Sequence, residues 1–517
     1  MTAGDLLPML VALPLLAAVV PLLVARRSRR LARAATVAVL AAQVALATAV
    51  ARLVLVEGPI GYVVGAIPAA FGIGLLADRL AVAMAVLVAV AALGAFLGDR
   101  SPRTGPELAL WLLLVAGLTG VVVTADVFNL YVFLEISGLA AYALVASARG
   151  ADAALAGLHY LLVGTVGATL YLLGVGYAFV ATGTLAMADL APALAAAGHG
   201  STLVVAAFVL MAVGLGVKLA LFPLHAWKPD AYAAAPPAVA AVLAALGSTV
   251  AGYALVRVTF DVFTVAFLEA VPTVRTLLLA VAAASVVAGG LLALRETDVR
   301  RLLAYSSVSQ FGLVGLGIAL ATPLAVTGAL VGLVGHAVAK GGLFVAAGTF
   351  ARDYGARTVD DYAGLAARTP ATGAAVAVLA VSLVGLPPTV GFASKWYLAL
   401  GAVEAGSWAV AAVVVASTLL SLAYAGRVVE RLYLGTATGD GADTATADGR
   451  RDGRDAVGEP GTAPGSVPSG EPATTDGGRP FRSPLVVAAV AAALVVGLGL
   501  ASTALADWFA PVVEGWL

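Results

Sequence analysis

The chain has 517 residues, 62% of them hydrophobic and only 11% charged, with a mean hydropathy of +1.02. That composition excludes a water-soluble globular protein and describes a chain dissolved in lipid. A net charge of zero favours no partner by sign, and the absence of cysteine excludes disulfides, Cys-ligated iron–sulfur clusters and thiol chemistry within the chain.

Apolar runs long enough to cross about 30 Å of hydrocarbon, about 20 helical residues each, recur from Leu6 to Phe509. They predict about fourteen transmembrane helices, at 6–25, 34–56, 73–97, 107–124, 127–147, 153–181, 203–226, 235–258, 275–294, 302–321, 324–350, 371–401, 408–433 and 484–506. The first run precedes the basic cluster RRSRR at 26–30 and lacks a small-residue cleavage site, so it reads as a membrane helix and not as a signal peptide. Counting alternately from it, Arg26 to Arg33, Arg100 and Arg103, Arg149, Arg295 to Arg301, Arg352, Arg357 and Arg450 to Arg482 all fall in loops on one side. The bias of arginine toward cytoplasmic loops makes that side the inside of the plasma membrane and places both termini outside. Residues 436–483, rich in Gly, Pro, Asp, Thr and Ala, read as a disordered cytoplasmic linker.

Two spans are interrupted. VGLGVKLALFPLHAWKPD, at 213–230, holds Pro223 after Lys218, and VGLPPTVGFASKWYLALGA, at 384–402, holds Pro387 and Pro388 before Lys395. Proline removes a backbone donor, so both helices are expected to break in mid-membrane, which lipid tolerates only where protein or water satisfies the freed groups. Paired broken helices in corresponding halves mark transporters built from inverted repeats.

Of 29 basic residues only four are lysine: Lys218, Lys228, Lys340 and Lys395. Arginine keeps its proton in a protein, whereas a lysine withdrawn from water can release it, so the membrane lysines look chosen for a switchable cation. Glu135 is the one acid deep in an apolar span. A charge there costs from about 3 to over 10 kcal/mol, so it must face protein or water, and Lys218 is its natural partner. Paired, the carboxylate holds the proton on Lys218; separated, the ammonium gives it up. His225 lies seven residues beyond Lys218, about 10 Å along a regular helix, and His336 and Lys340 are helix neighbours. Glu135, Lys218, His225, His336, Lys340 and Lys395 thus make a proton-transfer series, with Ser248, Thr249, Tyr253, Ser306, Ser307 and Ser309 as holders of intervening water. His159 reads as structural, Arg300 and Arg301 as interface anchors, and Lys228, beside Pro229 and Asp230, as a side chain snorkelling to the cytoplasmic interface. No P-loop, HExxH or CxxC occurs, and GLVGLG at 312–317 sits inside a span, so neither nucleotide, nucleic acid, metal nor cofactor is expected.

Five ordered stretches, VFNLYVFLEISGLAAYALVA, KLALFPLHAWKPDAYAAAPP with its continuation to Arg257, DVRRLLAYSSVSQFGLVGLG, GHAVAKGGLFVAAG and GLPPTVGFASKWY, resemble the motifs of the antiporter-like subunit family shared by Mrp-type cation/proton antiporters and respiratory complex I. FNLYVFLEIS and PDAY at 229–232 are most similar to the Mrp D subunit. The resemblance implies an all-α polytopic fold with two inverted five-helix repeats, each containing a broken helix. Residues 1–106 would then hold helices one to three, 107–258 the first repeat, 259–435 the second, 436–483 the linker and 484–517 the last helix. It matches Glu135 to the family's fifth-helix glutamate, Lys218 to the seventh-helix lysine, Lys395 to the twelfth-helix ionisable residue, and His336 and Lys340 to the eleventh-helix pattern. It implies a secondary transporter, moving protons against monovalent cations such as Na⁺ alongside other Mrp subunits. The alternative is a proton-pumping, non-redox subunit of a complex I or membrane-bound hydrogenase type. The chain departs from the family in lacking an eighth-helix lysine near Thr249, and in having Lys228 where leucine is usual.

Overall fold

The computed structural model describes residues 3–66, 73–99, 101–435 and 483–517; the linker expected at 436–483 lies almost wholly outside the described residues. Among the described residues, thirteen helices are long and apolar enough to span a membrane. In chain order these and their broken companions are α1 (Leu6–Val24), α2 (Arg29–Glu57), α3 (Arg79–Leu97), α4 (Gly105–Val123), α5 (Val127–Ala146), α6 (Ala151–Thr182), α7a (Thr202–Leu219) with α7b (Trp227–Ala234), α8 (Pro237–Ala270) and α9 (Pro272–Arg295). They continue with α10 (Val299–Leu320), α11 (Pro323–Tyr354), α12a (Pro370–Val384) with α12b (Val390–Glu404), α13 (Trp408–Leu434), α14 (Ser483–Leu500) and the shorter α15 (Ser502–Trp516). The fourteenth spanning unit is α12, whose halves of 15 residues each are individually too short to cross.

Sequence sets the starts. Asp126, Asp298 and Thr104 accept from the first-turn amides of α5, α10 and α4, and Thr104 and Glu107 close a reciprocal capping box. An antiparallel hairpin of β1 (Ile60–Val63) and β2 (Gly74–Ala77) caps one end of the bundle, in the register Ile60 to Ala77.

Two helices form the centre. The most apolar stretch of α8 is 94% buried and that of α10 is 89% buried, against 28–33% for α1, α2, α9, α13 and α14 at the rim. α8 is longer than expected, running to Ala270 through two π-helical turns at Leu243–Gly247 and Val258–Phe263. Helices α4–α8 and α9–α13 each contain one broken member in the fourth place. The first set enters from the face bearing Arg103 and the second from the opposite face, the relation of inverted repeats.

Of the arginines predicted to share one face, Arg100 and Arg450 to Arg482 lie outside the described residues, and Arg33, Arg103, Arg300, Arg301 and Arg352 gather on one side. Arg33 donates to the Asp99 carbonyl, Arg103 and Arg352 pair with the Asp99 carboxylate, and Arg300 and Arg301 reach the C-terminal end of α7b. On the opposite face the buried Arg257 pairs with Asp78 at 2.5 Å and with Asp261 at 2.9 Å, and Trp516 donates to Asp261, which fastens α15 to the end of α8. This cluster has no signal in sequence, because Asp78 and Arg257 are 179 positions apart.

Candidate functional site

Both helix breaks have one construction. α7a stops at Leu219, and the next residue, Ala220, takes a left-handed backbone with φ of 62°. α12a stops at Val384, followed by Gly385 with φ of 84°. In an unbroken helix the amide of residue 223 would donate to Leu219 and that of residue 388 to Val384; both positions are proline, so both carbonyls lose their helical donor. Each is met by a lysine from beyond the break. Lys228 Nζ lies 3.5 Å from the Leu219 carbonyl oxygen, and Lys395 Nζ donates to the Val384 carbonyl at 2.9 Å. An ammonium at a helix C-terminus also meets the negative end of the helix dipole, worth from about 0.3 to 2 kcal/mol.

Lys228 does not snorkel to an interface. The expectation broke span 203–226 at Pro223 but still placed Lys228 beyond the end of the span; instead α7a ends at Leu219, residues 220–226 form a turn with Pro223 and Ala226 exposed, and α7b begins at Trp227. Lys228 is therefore 0% exposed, donates to Ser248 Oγ at 2.8 Å, and rests 4.8 Å from the centroid of the Phe311 ring.

Lys218 Nζ is 3.3 Å from Glu135 Oε1 and donates to the Tyr142 hydroxyl at 2.7 Å. Gly138 makes room for this group, since a Cβ there would stand 2.9 Å from the Tyr142 oxygen and 3.0 Å from the lysine nitrogen. Tyr142 was not among the residues expected from sequence; its spacing from Glu135, seven positions and so the same helix face, was the available signal. Ser248 Oγ donates to the main-chain carbonyl of Lys218 at 3.1 Å, which places Ser248 between Lys218 and Lys228.

In the second repeat Lys340 is 0% exposed and donates to the Leu303 carbonyl at 2.7 Å and to the hydroxyl of Ser306. Four residues earlier, His336 packs against the other occupant of this region, the Phe311 ring, at 4.5 Å between centroids; both imidazole nitrogens are buried and make no hydrogen bond to protein. Lys395 has, besides Val384, the hydroxyls of Ser421 at 3.2 Å and Thr418 at 3.4 Å. The described residues therefore form a row from Glu135 and Lys218 through Ser248, Lys228, Phe311 and His336 to Lys340 with Ser306, while Lys395 stands at the second break.

Other expected members stand elsewhere. His225 lies between Phe222 and Tyr305, with ring centroids 5.4 and 5.8 Å away. The hydroxyls of Thr249 and Ser307 donate within their own helices, to Ala245 and Leu303, and Ser309 donates to Val286. Tyr253 bonds the Val122 carbonyl and accepts from Arg257, so it belongs to the cluster on the opposite face. On the arginine face a cavity of about 950 Å³ opens toward α7b, lined among others by Arg149, Asp152, His159, Asp230, Arg300 and Arg301. Arg300 and Arg301 do more than anchor: the first donates to the Ala233 and Ala235 carbonyls and the second pairs with Asp230 at 2.7 Å, fixing α7b from its C-terminal end.

Residues 124–421 match the transmembrane family model described as NADH:quinone oxidoreductase/Mrp antiporter. The chain is 46% identical over 440 residues to NADH-quinone oxidoreductase subunit N of Desulforudis audaxviator, covering 82% of this chain and 86% of that one. It is 30% identical to the D-type Na(+)/H(+) antiporter subunit of Bacillus subtilis, covering 81% and 84%. Its fold superposes on a chain of the Mrp complex from Dietzia sp. DQ12-45-1b with a TM-score of 0.86 at 28% identity, covering 100% of this chain and 98% of that one. The stretch with the broken helices and the lysine row lies within the matched residues, and the chain belongs to the NADH:quinone oxidoreductase/Mrp antiporter family as an antiporter-like membrane subunit.

Proposed function

We propose that the chain is the proton-translocating subunit of a multisubunit monovalent cation/proton antiporter of the Mrp D type, working as a secondary transporter in the plasma membrane. The observation that carries this reading is the Lys218–Glu135 contact at 3.3 Å beside a helix break, continued by further buried amines and an imidazole across the centre of the bundle. A buried ion pair of this kind adds little net stability. Its use is as a switch: carboxylate and ammonium together hold a proton, and a movement of a few ångströms between α5 and α7a releases it into the row.

In this reading the arginine face is cytoplasmic, both termini are outside and the cavity beside Arg149 and Asp230 admits water and protons from the cytoplasm. Other antiporter subunits supply the cation path and the coupling. Two likenesses support the assignment: the Bacillus antiporter subunit that is 30% identical over 81% of this chain, and the Mrp complex chain that matches its whole length.

A second reading is favoured by the relative of 46% identity, an NADH-quinone oxidoreductase subunit N. There the same row would be driven by a redox partner instead of a cation gradient. One experiment separates the two: vesicles holding the complete complex, purified through this chain, with internal pH followed by dye. The antiporter reading expects Na⁺, K⁺ or Li⁺ to move protons, and small membrane subunits to co-purify. Proton uptake on electron-donor addition, with iron–sulfur subunits attached and no cation response, would replace it with the redox reading. Unchanged flux in Glu135→Ala and Lys218→Ala would make the chain a scaffold and sink both.

A further inference from the structure

Counted from the freed carbonyls the two breaks match in the left-handed residue, one position on, and in the proline, four positions on; the lysine follows after nine residues in the first and eleven in the second. In the first, Leu219 ends the helix, Ala220 is left-handed, Pro223 removes the donor, and Lys228 supplies a new one while also donating to Ser248 of α8. In the second, Val384 ends the helix, Gly385 is left-handed, Pro388 removes the donor, and Lys395 supplies a new one while also donating to Ser421 of α13. α8 and α13 occupy the same place, directly after the broken helix, in their repeats. Lys228 is thus the first-repeat counterpart of Lys395, although the residue expected at the central position belonged to the eighth helix.

We propose that Lys228 is a proton-transfer residue, the central relay between the two repeats, doing from α7b what the missing eighth-helix lysine would do from α8. This rests on the proton-translocating reading above. Three observations carry it. Among the described residues its surroundings are oxygens and two rings with no carboxylate in contact: the Ser248 hydroxyl at 2.8 Å, the Leu219 carbonyl at 3.5 Å, and Phe311 and Tyr232 with their ring centroids at 4.8 and 5.5 Å. An amine so placed can pass between ammonium and neutral forms without stranding a buried anion, whereas loss of the Lys218 proton leaves Glu135 unpaired. Position is the second. Ser248 touches both Lys228 and the backbone of Lys218, and Phe311 lies against both Lys228 and His336, so Lys228 stands where the halves meet. Third, lysine occurs here instead of the arginine that the chain uses almost everywhere else, and arginine would carry the charge but could not give up a proton.

The step is a proton transfer only. The Lys218 ammonium loses H⁺ through water to the neutral Lys228 amine, which becomes an ammonium as Lys218 becomes neutral; Lys228 then passes one H⁺ to the His336 side and returns to the amine, with charge conserved throughout.

The test uses the complete complex in vesicles, with assembly checked by co-purification. Lys228→Gln keeps a donor for the Leu219 carbonyl, and Lys228→Arg keeps the charge; both are expected to lower proton flux about a hundredfold, the scale of a lost proton-transfer group. Lys228→Gln combined with Ser248→Lys, which returns an amine to the same space from α8, is expected to recover most of the flux. Parent-like flux in either single variant in the assembled complex overturns the proposal, because a donor or a fixed cation would then suffice. Should Lys228→Gln fail to assemble, Lys228→Arg decides alone, and failure of the double variant to exceed Lys228→Gln counts against a relay. Absence of flux in the parent complex would instead refute the proton-translocating reading and leaves a separate signature.

Discussion

The first and second breaks share their frame but not their charge. Counting back one residue from the freed carbonyl gives Lys218 in the first and Leu383 in the second. Lys218 faces Glu135 and Tyr142, whereas Leu383 receives only a neutral contact on its carbonyl, from Gln310 Nε2 at 3.4 Å. The difference separates two jobs. The freed carbonyl with its lysine is a common device, present twice, that places an amine at the centre of the bundle. Among the described residues the carboxylate–lysine pair is present once, on the side of α5, so that is where a conformational signal can load or unload the row. The frames differ in one further detail, since the left-handed residue is Gly385 in one and Ala220 in the other, a backbone state that costs a non-glycine residue about 1–2 kcal/mol.

Removing the unique element should have the largest effect. Glu135→Gln keeps the shape and one acceptor for Lys218 but removes the charge; proton flux in vesicles is expected to fall about a hundredfold or more while the complex still assembles. Flux at the parent level would erase the distinction between the breaks. The glycine difference gives the next effect. A Cβ on Gly385 would lie 2.8 Å from Lys395 Cδ, in a backbone conformation that disfavours it, so Gly385→Ala should lower thermal stability by about 1–2 kcal/mol and displace Lys395, reducing flux. Ala220→Gly relieves the same conformation while deleting one buried methyl, each worth about 1 kcal/mol with opposite sign. Its melting temperature and flux should stay close to the parent's, and equal losses in the two variants would show that the breaks tolerate change alike.

The smallest effect lies outside the membrane, in the turn that leads into α12a. Asp361 accepts from the Thr358 and Arg357 amides at 2.8 and 2.9 Å, and these bonds hold its carboxyl below the usual carboxylate range. A depressed folded-state pKa gives stability that is present above the ordinary carboxyl value of about 4 and is lost as pH falls through the lowered one. Because Asp361 is solvent-exposed, the contribution should stay below about 1 kcal/mol. Asp361→Asn should therefore show a slightly lower melting temperature at neutral pH and no difference from the parent at strongly acid pH. A difference that persists in acid would assign the turn's stability to something else.

Much of this is legible in the sequence. Apolar length marks the spans, and the contrast between four lysines and many arginines marks Lys218, Lys340 and Lys395 as buried. Glu135 stands out in the sequence because it interrupts the middle of an apolar run. Lys228 is misplaced when position is measured along an unbroken helix, on which it lies ten residues or about 15 Å beyond Lys218. The loop at 220–226 cancels that rise and returns Lys228 to the level of Ser248, which itself touches Lys218. A signal was available: Pro223 deprives Leu219 of its donor within the membrane, and a freed carbonyl there needs a partner. The Arg257, Asp78, Asp261 and Trp516 cluster offered no such signal, because its members come from distant segments and only tertiary packing joins them. His225, read as a helix-face neighbour of Lys218, is turned away by the same break toward Tyr305.

The most direct measurement is proton flux in vesicles containing the assembled complex with Lys218→Arg. Arginine retains the positive charge opposite Glu135 and the reach to Tyr142 but keeps its proton in a protein. If the buried amines of the row exchange H⁺, flux falls to the background of protein-free vesicles although the complex remains intact. Flux equal to that of the parent would mean that a permanent cation serves as well, and that protons cross this protein by another route.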